Sequence, residues 1–387
     1  MESSLSIQFR LTNQKCGGRS AFAERRKQVQ IVYIDKKYRF VEIFDQRSGI
    51  NIQSGILDEN GRDTGINPFQ RSYPRLIDVG IMGHCIHGKY GLCVKSGVQC
   101  YQSGASETQP NMLLSDYQSI IDQSAGKLQS VALGGRGDPN KHERFQEILE
   151  YTVDHNIVPN YTTSGLNLTH EEVYQTALHC GAVAVSWYRS PYTLSALDAF
   201  CSAGVTTNIH YVLSRSSIDE AIQRLESNNW FGDGRNRINA VIFLLHKPVG
   251  QGSSSEVLDI NDPRVSRFFS LVENHAGDYQ LGFDSCSIPA IVNFSSSINP
   301  DSIDTCEGAR FSMYITPDMF ATPCSFDQNL DYAVSLRVFD IEEAWNGPTF
   351  ESFRGKLRTS CPSCSNRSLC MGGCPLQPSI VLCGDKK

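Results

Sequence analysis

Residues 76–100 read LIDVGIMGHCIHGKYGLCVKSGVQC, a short apolar run that leads directly into a cysteine-rich loop. The run Leu76–Met82 has the length and the β-branched content of a buried strand. The loop that follows carries three cysteines in the spacing C-x7-C-x6-C, namely Cys85, Cys93 and Cys100. Three thiolates at the end of a strand can hold three irons of a [4Fe–4S] cluster and leave the fourth iron free for a ligand. The stretch therefore predicts a cluster that does chemistry on a bound small molecule.

The loop belongs to a large complement of cysteine, 14 in 387 residues. The segment from Met1 to Gln14 lacks the apolar core of a signal peptide, so we expect a cytoplasmic location. Disulfides do not persist there, and metal or redox chemistry becomes the leading explanation of the cysteines. On the loop alone two alternatives stay open, which are a loop without metal and a zinc site made from His84, Cys85, His87 and Cys93.

The composition is that of a soluble globular protein, with 40% hydrophobic and 20% charged residues. A formal net charge of −6 gives no reason to expect a nucleic-acid partner. The sequence has no apolar run of the ~18–20 residues that a membrane span needs, so we expect no membrane association.

From residue 76 to residue 283 short apolar runs alternate with amphipathic stretches, as in Lys141–His155, where apolar residues recur at helical spacing. Strands that alternate with helices pair in parallel, because each crossover returns the chain over the sheet. We therefore predict an α/β fold, either an open or closed barrel of six units or a doubly wound sheet. The predicted strands are Leu76–Met82, Ser130–Gly134, Ile157–Thr162, Ala182–Trp187, Thr206–Val212, Asn239–Leu245 and Tyr279–Phe283.

Small and polar residues follow three consecutive predicted strands, at the end of the sheet where barrel enzymes bind their substrates. Glycines after the second strand would let the backbone approach a ligand closely, hydroxyls after the third could bond a ribose, and a guanidinium after the fourth could pair with a carboxylate. Each signal is weak alone, and the glycines also fit an ordinary turn. The candidate cofactor-binding residues are Gly134, Gly135, Thr163, Ser164, Ser186 and Arg189.

After Cys286 the alternation stops, and Gly, Pro, Ser, Asn and Cys dominate a region poor in continuous apolar segments, which metal clusters can help to fold. Seven cysteines lie there, more than one tetrahedral site can use, and an eighth precedes them closely. A zinc ribbon is the alternative. The eight are Cys286, Cys306, Cys324, Cys361, Cys364, Cys370, Cys374 and Cys383, and the remaining Cys16, Cys180 and Cys201 are expected to be structural.

Residues 75–383 resemble a radical SAM enzyme with a C-terminal SPASM domain. The spacing C-x2-C-x5-C-x3-C-gap-C from Cys361 to Cys383 matches the SPASM signature, and the Gly134–Gly135 turn is similar to the family's glycine motif for the methionyl amine. Two features depart from the family. Its first three cysteines are usually spaced C-x3-C-x2-C, and glycine usually stands where this chain has Met319.

The resemblance implies a partial (β/α)6 TIM-like barrel with a small, irregular iron–sulfur domain, divided as residues 1–74, 75–285 and 286–387. It implies three [4Fe–4S] clusters. Cys85, Cys93 and Cys100 would hold the cluster that binds S-adenosylmethionine. A first auxiliary cluster would use Cys306, Cys324 and Cys374, with Cys286 as the candidate fourth ligand. A second would use Cys361, Cys364, Cys370 and Cys383.

The implied activity is reductive cleavage of S-adenosylmethionine to a 5′-deoxyadenosyl radical that modifies a ribosomally made peptide. The outcome would be a crosslink, an epimerisation or backbone excision to a β-amino acid. Expected partners are a precursor peptide, a separate leader-recognition protein and an electron donor such as flavodoxin or ferredoxin. The alternatives are a small-molecule substrate, the activation of another enzyme, or a zinc-stabilised interaction protein.

A β-hairpin is predicted at Gln28–Asp45, with a turn at Lys36–Lys37.

Overall fold

The computed structural model describes residues 30–231, 237–295, 297 and 303–384. A small antiparallel sheet comes first, and its strands are β1 (Gln30–Asp35), β2 (Phe40–Asp45) and β3 (Asn51–Gln53). The β1–β2 register pairs Gln30 with Asp45, which confirms the predicted hairpin over its described residues. Residues 28 and 29 of that prediction, and Cys16, lie outside the described residues.

Seven parallel strands in simple sequential order form the main sheet. Each lies within one residue of its predicted limits, because a buried parallel strand appears in the sequence as a short apolar run between helical segments. The strands are β4 (Leu76–Met82), β5 (Ser130–Gly135), β6 (Val158–Thr163), β7 (Val183–Ser186), β8 (Thr207–Leu213), β9 (Ala240–Leu245) and β10 (Gln280–Phe283).

Helices connect the strands and cover one face of the sheet. In Phe145–Asp154, for example, Phe145, Ile148 and Leu149 are buried at helical spacing. None of the described helices is both long enough and apolar enough to cross a bilayer. Those as far as the last main strand are α1 (Ile86–Lys89), α2 (Leu92–Lys95), α3 (Leu114–Ser124), α4 (Phe145–Asp154), α5 (His170–His179), α6 (Pro191–Ser202), α7 (Ile218–Ser227) and α8 (Pro263–Glu273).

The C-terminal region adds strands to the same sheet. Strand β11 (Ser312–Ile315) pairs in parallel with β4, while β12 (Phe320–Thr322) and β13 (Val334–Ser335) follow antiparallel. The helices of this region are α9 (Ile288–Phe294), α10 (Ile341–Asn346), α11 (Pro348–Thr359) and α12 (Arg367–Cys370).

The strand order β10-β9-β8-β7-β6-β5-β4-β11-β12-β13 decides between the two predicted architectures. A doubly wound sheet would reverse its strand order at a switch point, and this order runs in one direction from β4 to β10. Within the described residues the order ends at β10 and β13, with no pairing between the two. The sheet is therefore a partial, TIM-like barrel, as predicted. The predicted division at residues 74 and 285 stays a prediction.

Side chains alternate between the two faces of each barrel strand. On β8 the residues Ile209, Tyr211 and Leu213 are buried among the helices. Asn208 and His210 belong to the opposite set, which is only partly buried and lines the concave side. A polar concave side is suited to a polar ligand, and its C-terminal end carries the cysteine loop.

One buried ion pair joins the small sheet to the barrel. Glu42 on β2 lies 3.1 Å from the Nε atom of Arg71, and both side chains are fully buried. Gln129 donates a further hydrogen bond of 3.2 Å to the Glu42 carboxylate. The guanidinium of Arg71 also stacks 3.4 Å from the ring centroid of Tyr33 on β1. A buried charge pair therefore holds the small sheet against the barrel.

We expect Glu42→Gln to lower the free energy of unfolding by about 3–5 kcal/mol, because it leaves the buried Arg71 cation without its carboxylate partner. The matched control is Glu342→Gln, which breaks the exposed pair with Lys127 and should change stability by less than about 1 kcal/mol. Urea unfolding followed by fluorescence measures both. Equal effects of the two substitutions would contradict a structural role for the buried pair.

Candidate functional site

The first three cysteines lie together at the C-terminal end of β4. Cys85 caps the N-terminus of α1, and its Sγ atom accepts a hydrogen bond of 3.1 Å from the amide of Gly88. Cys93 is buried within α2. Burial raises the pKa of Cys85 to about 11 and of Cys93 to about 12, and the nearby Cys100 adds to both shifts. Thiols this reluctant to ionise become ligands only when a metal supplies the compensating positive charge.

The Cys93 sulfur has polar neighbours of its own. The Nδ1 atom of His87 lies 3.0 Å from it, and the Nε2 atom of His87 lies 2.6 Å from the hydroxyl of Tyr192. The ring of Tyr188, just after β7, packs against that of His87 with 4.2 Å between the ring centroids. His87 therefore lies within hydrogen-bonding distance of the Cys93 sulfur.

Among the described residues, no three His, Cys, Asp or Glu side chains converge as ligands of one metal ion. A [4Fe–4S] cluster spreads its thiolates over different irons. The choice between a cluster and the zinc alternative stays a prediction.

The unusual length of the cysteine loop has a structural explanation. The loop crosses to the segment after β9, where the amide of Gln251 donates a 2.9 Å hydrogen bond to the carbonyl of Cys100. The amide of Ser253 donates to the side chain of Gln99 at 2.5 Å, and Arg189 donates to the carbonyl of Ser96 at 2.9 Å. Because these contacts come from the segments that follow β7 and β9, the long loop spans the barrel mouth.

The predicted glycine turn lies against the same loop. Gly135 has a φ of +108°, and a Cβ atom there would lie 2.4 Å from the carbonyl oxygen of Met82. A Cβ on Gly137 would lie 2.3 Å from the carbonyl oxygen of His84. Nothing lies within 4 Å of the corresponding position at Gly134. The turn therefore needs glycine for close packing at two positions and leaves open space above the third.

The predicted hydroxyls after β6 already have partners. Ser164 donates from its hydroxyl and its amide to the carboxylate of Asp138, at 2.5 and 2.6 Å. Thr163 is buried and accepts a hydrogen bond of 3.1 Å from the amide of Gly165. These contacts join the glycine turn to the end of β6. Asp138 was missed as a site residue because its partner is 26 positions away in sequence.

The two residues predicted at the end of β7 differ in whether they already have a charged partner. Ser186 is partly exposed on the concave face and pairs in register with His210. Arg189 already pairs with a carboxylate of this chain, since it donates to Glu220 at 2.5 Å. Arg189 also has a positive φ of 57°. Its predicted role as partner of a ligand carboxylate therefore competes with an existing ion pair.

Four of the later cysteines line one cavity of about 380 Å³ next to the concave side of the barrel. Cys286 and Cys374 interact directly, and the interaction raises the pKa of Cys286 and lowers that of Cys374. Burial raises the pKa of Cys306 to about 12 and raises that of Cys324 further. The structure thus brings the predicted eighth cysteine, Cys286, together with the other three.

Sequence reasoning missed charged residues that lie in this cavity and beside Cys286. Asp78 on β4 lines it, and burial raises the pKa of Asp78 to about 7. Lys247, just after β9, is buried, and forms an ion pair with Asp284. Burial opposes the positive charge of Lys247, but Asp284 and then Cys286 outweigh it and raise the pKa. The sequence did contain a signal for these residues, because a charged residue within or just after a barrel strand indicates a position near the site.

The remaining four cysteines also lie close together, near the protein surface. Cys383, Cys361 and Cys364 each act electrostatically on Cys370 and add to the rise that burial gives its pKa. A Cβ at Gly372, where φ is +81°, would lie 3.3 Å from the Cys361 sulfur. These four form the set predicted for the second auxiliary cluster.

The departure at Met319 is explained by its backbone. Met319 has a φ of +70°, in the left-handed region where glycine is normally preferred. Its side chain is buried, and its amide donates a 3.0 Å hydrogen bond to the carbonyl of Thr316. The chain therefore keeps the conformation that glycine would supply and adds an apolar side chain to the core.

We expect Gly135→Ala to lower the thermal unfolding midpoint, because a methyl group meets the Met82 carbonyl and a strained φ must be kept, at a cost of about 1–3 kcal/mol. The control is Gly355→Ala in α11, where nothing lies within 4 Å of the added Cβ and a gain of up to about 1 kcal/mol is expected. Differential scanning calorimetry on anaerobic protein measures both. An unchanged midpoint for Gly135→Ala would contradict the packing described for the turn.

No family model matches the sequence, and no curated protein matches it. Solved structures do. Streptococcus suis SuiB bound to S-adenosylmethionine aligns with a TM-score of 0.68 and 14% identity, over 93% of this chain and 100% of that one. SuiB bound to precursor peptide SuiA aligns with a TM-score of 0.66 and 14% identity, over 90% of this chain and 96% of that one. Native anSMEcpe with bound AdoMet aligns with a TM-score of 0.55 and 15% identity, over 78% of this chain and 90% of that one. The chain has the fold of these S-adenosylmethionine-binding proteins.

Proposed function

We propose that this chain is a radical SAM enzyme that modifies a ribosomally made peptide. The observation that carries the proposal is the grouping of Cys85, Cys93 and Cys100 at the end of β4, against a glycine turn that requires Gly135. A bound [4Fe–4S] cluster with one open iron supplies reductive cleavage of S-adenosylmethionine. The protein's own contribution is to hold the thiolates, position the ligand and exclude water.

Three clusters fit the cysteines that lie together. Cys85, Cys93 and Cys100 would hold the cluster that binds S-adenosylmethionine. The cavity set, Cys286, Cys306, Cys324 and Cys374, would hold a first auxiliary cluster. The surface set, Cys361, Cys364, Cys370 and Cys383, would hold a second. Cys93 and Cys374 are buried and most of the other thiols are partly buried, which supports the proposal because a buried thiolate is stable only beside a cation.

The strand ends would position S-adenosylmethionine in different ways. The open space over Gly134 leaves its backbone accessible to the methionyl amine, and Ser186 presents a hydroxyl on the concave face. Thr163 and Ser164 would act indirectly, because their polar atoms already fix the glycine turn and Asp138. Arg189 would orient the mouth loop through Ser96 and exchange Glu220 for a ligand carboxylate only if that ion pair opens.

A peptide substrate is supported by two structural neighbours. SuiB has been solved with precursor peptide SuiA. Native anSMEcpe has been solved with AdoMet and the Cp18Cys peptide, with a TM-score of 0.56 and 16% identity over 78% of this chain and 89% of that chain. The modification would be a crosslink, an epimerisation or a backbone excision, and the electron would come from a flavodoxin or ferredoxin. A separate leader-recognition protein would assist.

We propose that the small N-terminal sheet docks the peptide. Among the described residues β1 pairs only with β2, which leaves an edge that an extended peptide can join by strand addition. Val32, Ile43 and Ile52 are paired across the three strands and exposed. An apolar stripe of this kind on a soluble protein indicates a binding surface.

Anaerobic reconstitution should give about twelve irons per chain, four for each Cys-bound cluster. Replacing Cys85, Cys93 and Cys100 together by Ala should reduce this to about eight irons and abolish 5′-deoxyadenosine formation, because the auxiliary thiols are elsewhere. The control is Cys201→Ala, a buried cysteine outside the three sets, which should keep all the iron. A colourless, zinc-containing protein, or turnover by the triple variant, would refute the assignment.

The docking proposal predicts that Val32→Lys combined with Ile34→Lys lowers peptide modification about tenfold or more, equivalent to about 1.4 kcal/mol of binding. Iron content and peptide-independent cleavage of S-adenosylmethionine should stay unchanged. Val338→Lys is the matched control, because Val338 is 73% exposed in the C-terminal region. Mass spectrometry of a precursor peptide after incubation with the enzyme measures the effect. Equal modification by the double variant and wild type would leave the sheet as a scaffold only.

A further inference from the structure

The contacts of one imidazole point to a role that neither the fold nor the cysteine spacing assigns. His87 lies on α1, between the proposed ligands Cys85 and Cys93, and its side chain is buried. Its Nδ1 atom is 3.0 Å from the Cys93 sulfur, and its Nε2 atom is 2.6 Å from the Tyr192 hydroxyl. Its ring stacks against Tyr188 with 4.2 Å between centroids. The imidazole is therefore fixed on three sides.

The tautomer of this imidazole follows from the chemistry of its partners. A thiolate that binds a metal has no proton, so it can only accept a hydrogen bond. The short Nδ1–sulfur contact then requires the proton on Nδ1. Nε2 of the neutral ring is left as an acceptor, and the Tyr192 hydroxyl is the donor beside it. The resulting chain runs from the hydroxyl of Tyr192 through His87 to the sulfur of Cys93.

We infer that His87, oriented by Tyr192, is a positioning residue that donates a hydrogen bond to the Cys93 thiolate and raises the reduction potential of the S-adenosylmethionine-binding cluster. This inference rests on the proposed function. Reduction by the external donor adds one electron and one negative charge to the cluster and its thiolates. A hydrogen bond from a neutral donor stabilises the more negative state preferentially, and such bonds are a recognised control of cluster potentials.

The wide cysteine spacing gives the inference a structural reason. The seven residues between Cys85 and Cys93 form α1 and the start of α2, and they supply the imidazole from within the loop itself. Tyr188 and Tyr192 come instead from the end of β7 and from α6, across the barrel mouth. The contacts also tie the loop to the opposite strands, so the same side chains set both position and potential.

The test is an EPR-monitored redox titration of the anaerobic full-length protein. The cluster is identified as the one whose spectrum changes when S-adenosylmethionine is added. His87→Phe keeps the ring and its stacking on Tyr188 but removes the donor. Its midpoint potential should fall, with the equilibrium for reduction shifted about tenfold, which is about 59 mV for a one-electron couple. Tyr192→Phe should lower the potential in the same direction by less, because the tautomer is no longer enforced.

Two further variants separate hydrogen bonding from packing. His87→Gln retains an N–H donor and should restore most of the potential. Tyr90→Phe, in the same loop but 62% exposed, should leave it unchanged. An intact cluster with wild-type potential in both His87→Phe and Tyr192→Phe would overturn the inference. If His87→Phe loses the cluster, Tyr192→Phe alone decides. Wild-type protein without any cluster that responds to S-adenosylmethionine would overturn the proposed function instead.

Discussion

The parallel pairing of β11 with β4 is the contact on which the candidate site depends. Ser312 to Ile315 pair residue by residue with Leu76 to Val79, although more than 230 positions separate them in sequence. Strand β4 leads into the loop with Cys85, and β11 lies between Cys306 and Cys324. Because the strands are hydrogen-bonded neighbours, two sets of thiols that are far apart in sequence meet around one concave surface. Loss of this pairing would separate the proposed radical-forming cluster from the first auxiliary one.

Burial then decides what those thiols can do. Cys85, Cys93 and Cys306 all have pKa values raised to about 11 or 12, so in the bare protein they are neutral at physiological pH. Iron changes this balance, because the positive charge of the metal compensates for the desolvation of the thiolate. The C-terminal region would therefore gain much of its stability from metal, which accounts for its few and short strands. Cluster assembly and folding of the C-terminal region are expected to be coupled.

The features that could be predicted from the sequence are those that depend on a local residue pattern. All seven barrel strands were found because each is a short buried run, and the division of eleven cysteines into three sets followed from the resemblance to radical SAM enzymes with a SPASM domain. Contacts between distant side chains could not be found this way. Arg189 pairs with Glu220, and Ser164 with Asp138, across separate βα units. The pairing of β11 with β4 also has no local signal, since β11 is only four residues long. Met319 shows the same limit, because a positive φ at a non-glycine residue reflects its surroundings.

The central claim is that Cys85, Cys93 and Cys100 hold a cluster that cleaves S-adenosylmethionine despite their wide spacing. The most direct measurement is incubation of the reduced, anaerobically reconstituted protein with S-adenosylmethionine, followed by chromatographic quantification of the products. The account predicts 5′-deoxyadenosine and methionine in equal amounts, formed only with a reductant present. Recovery of intact S-adenosylmethionine from a protein that carries its full iron content would contradict it.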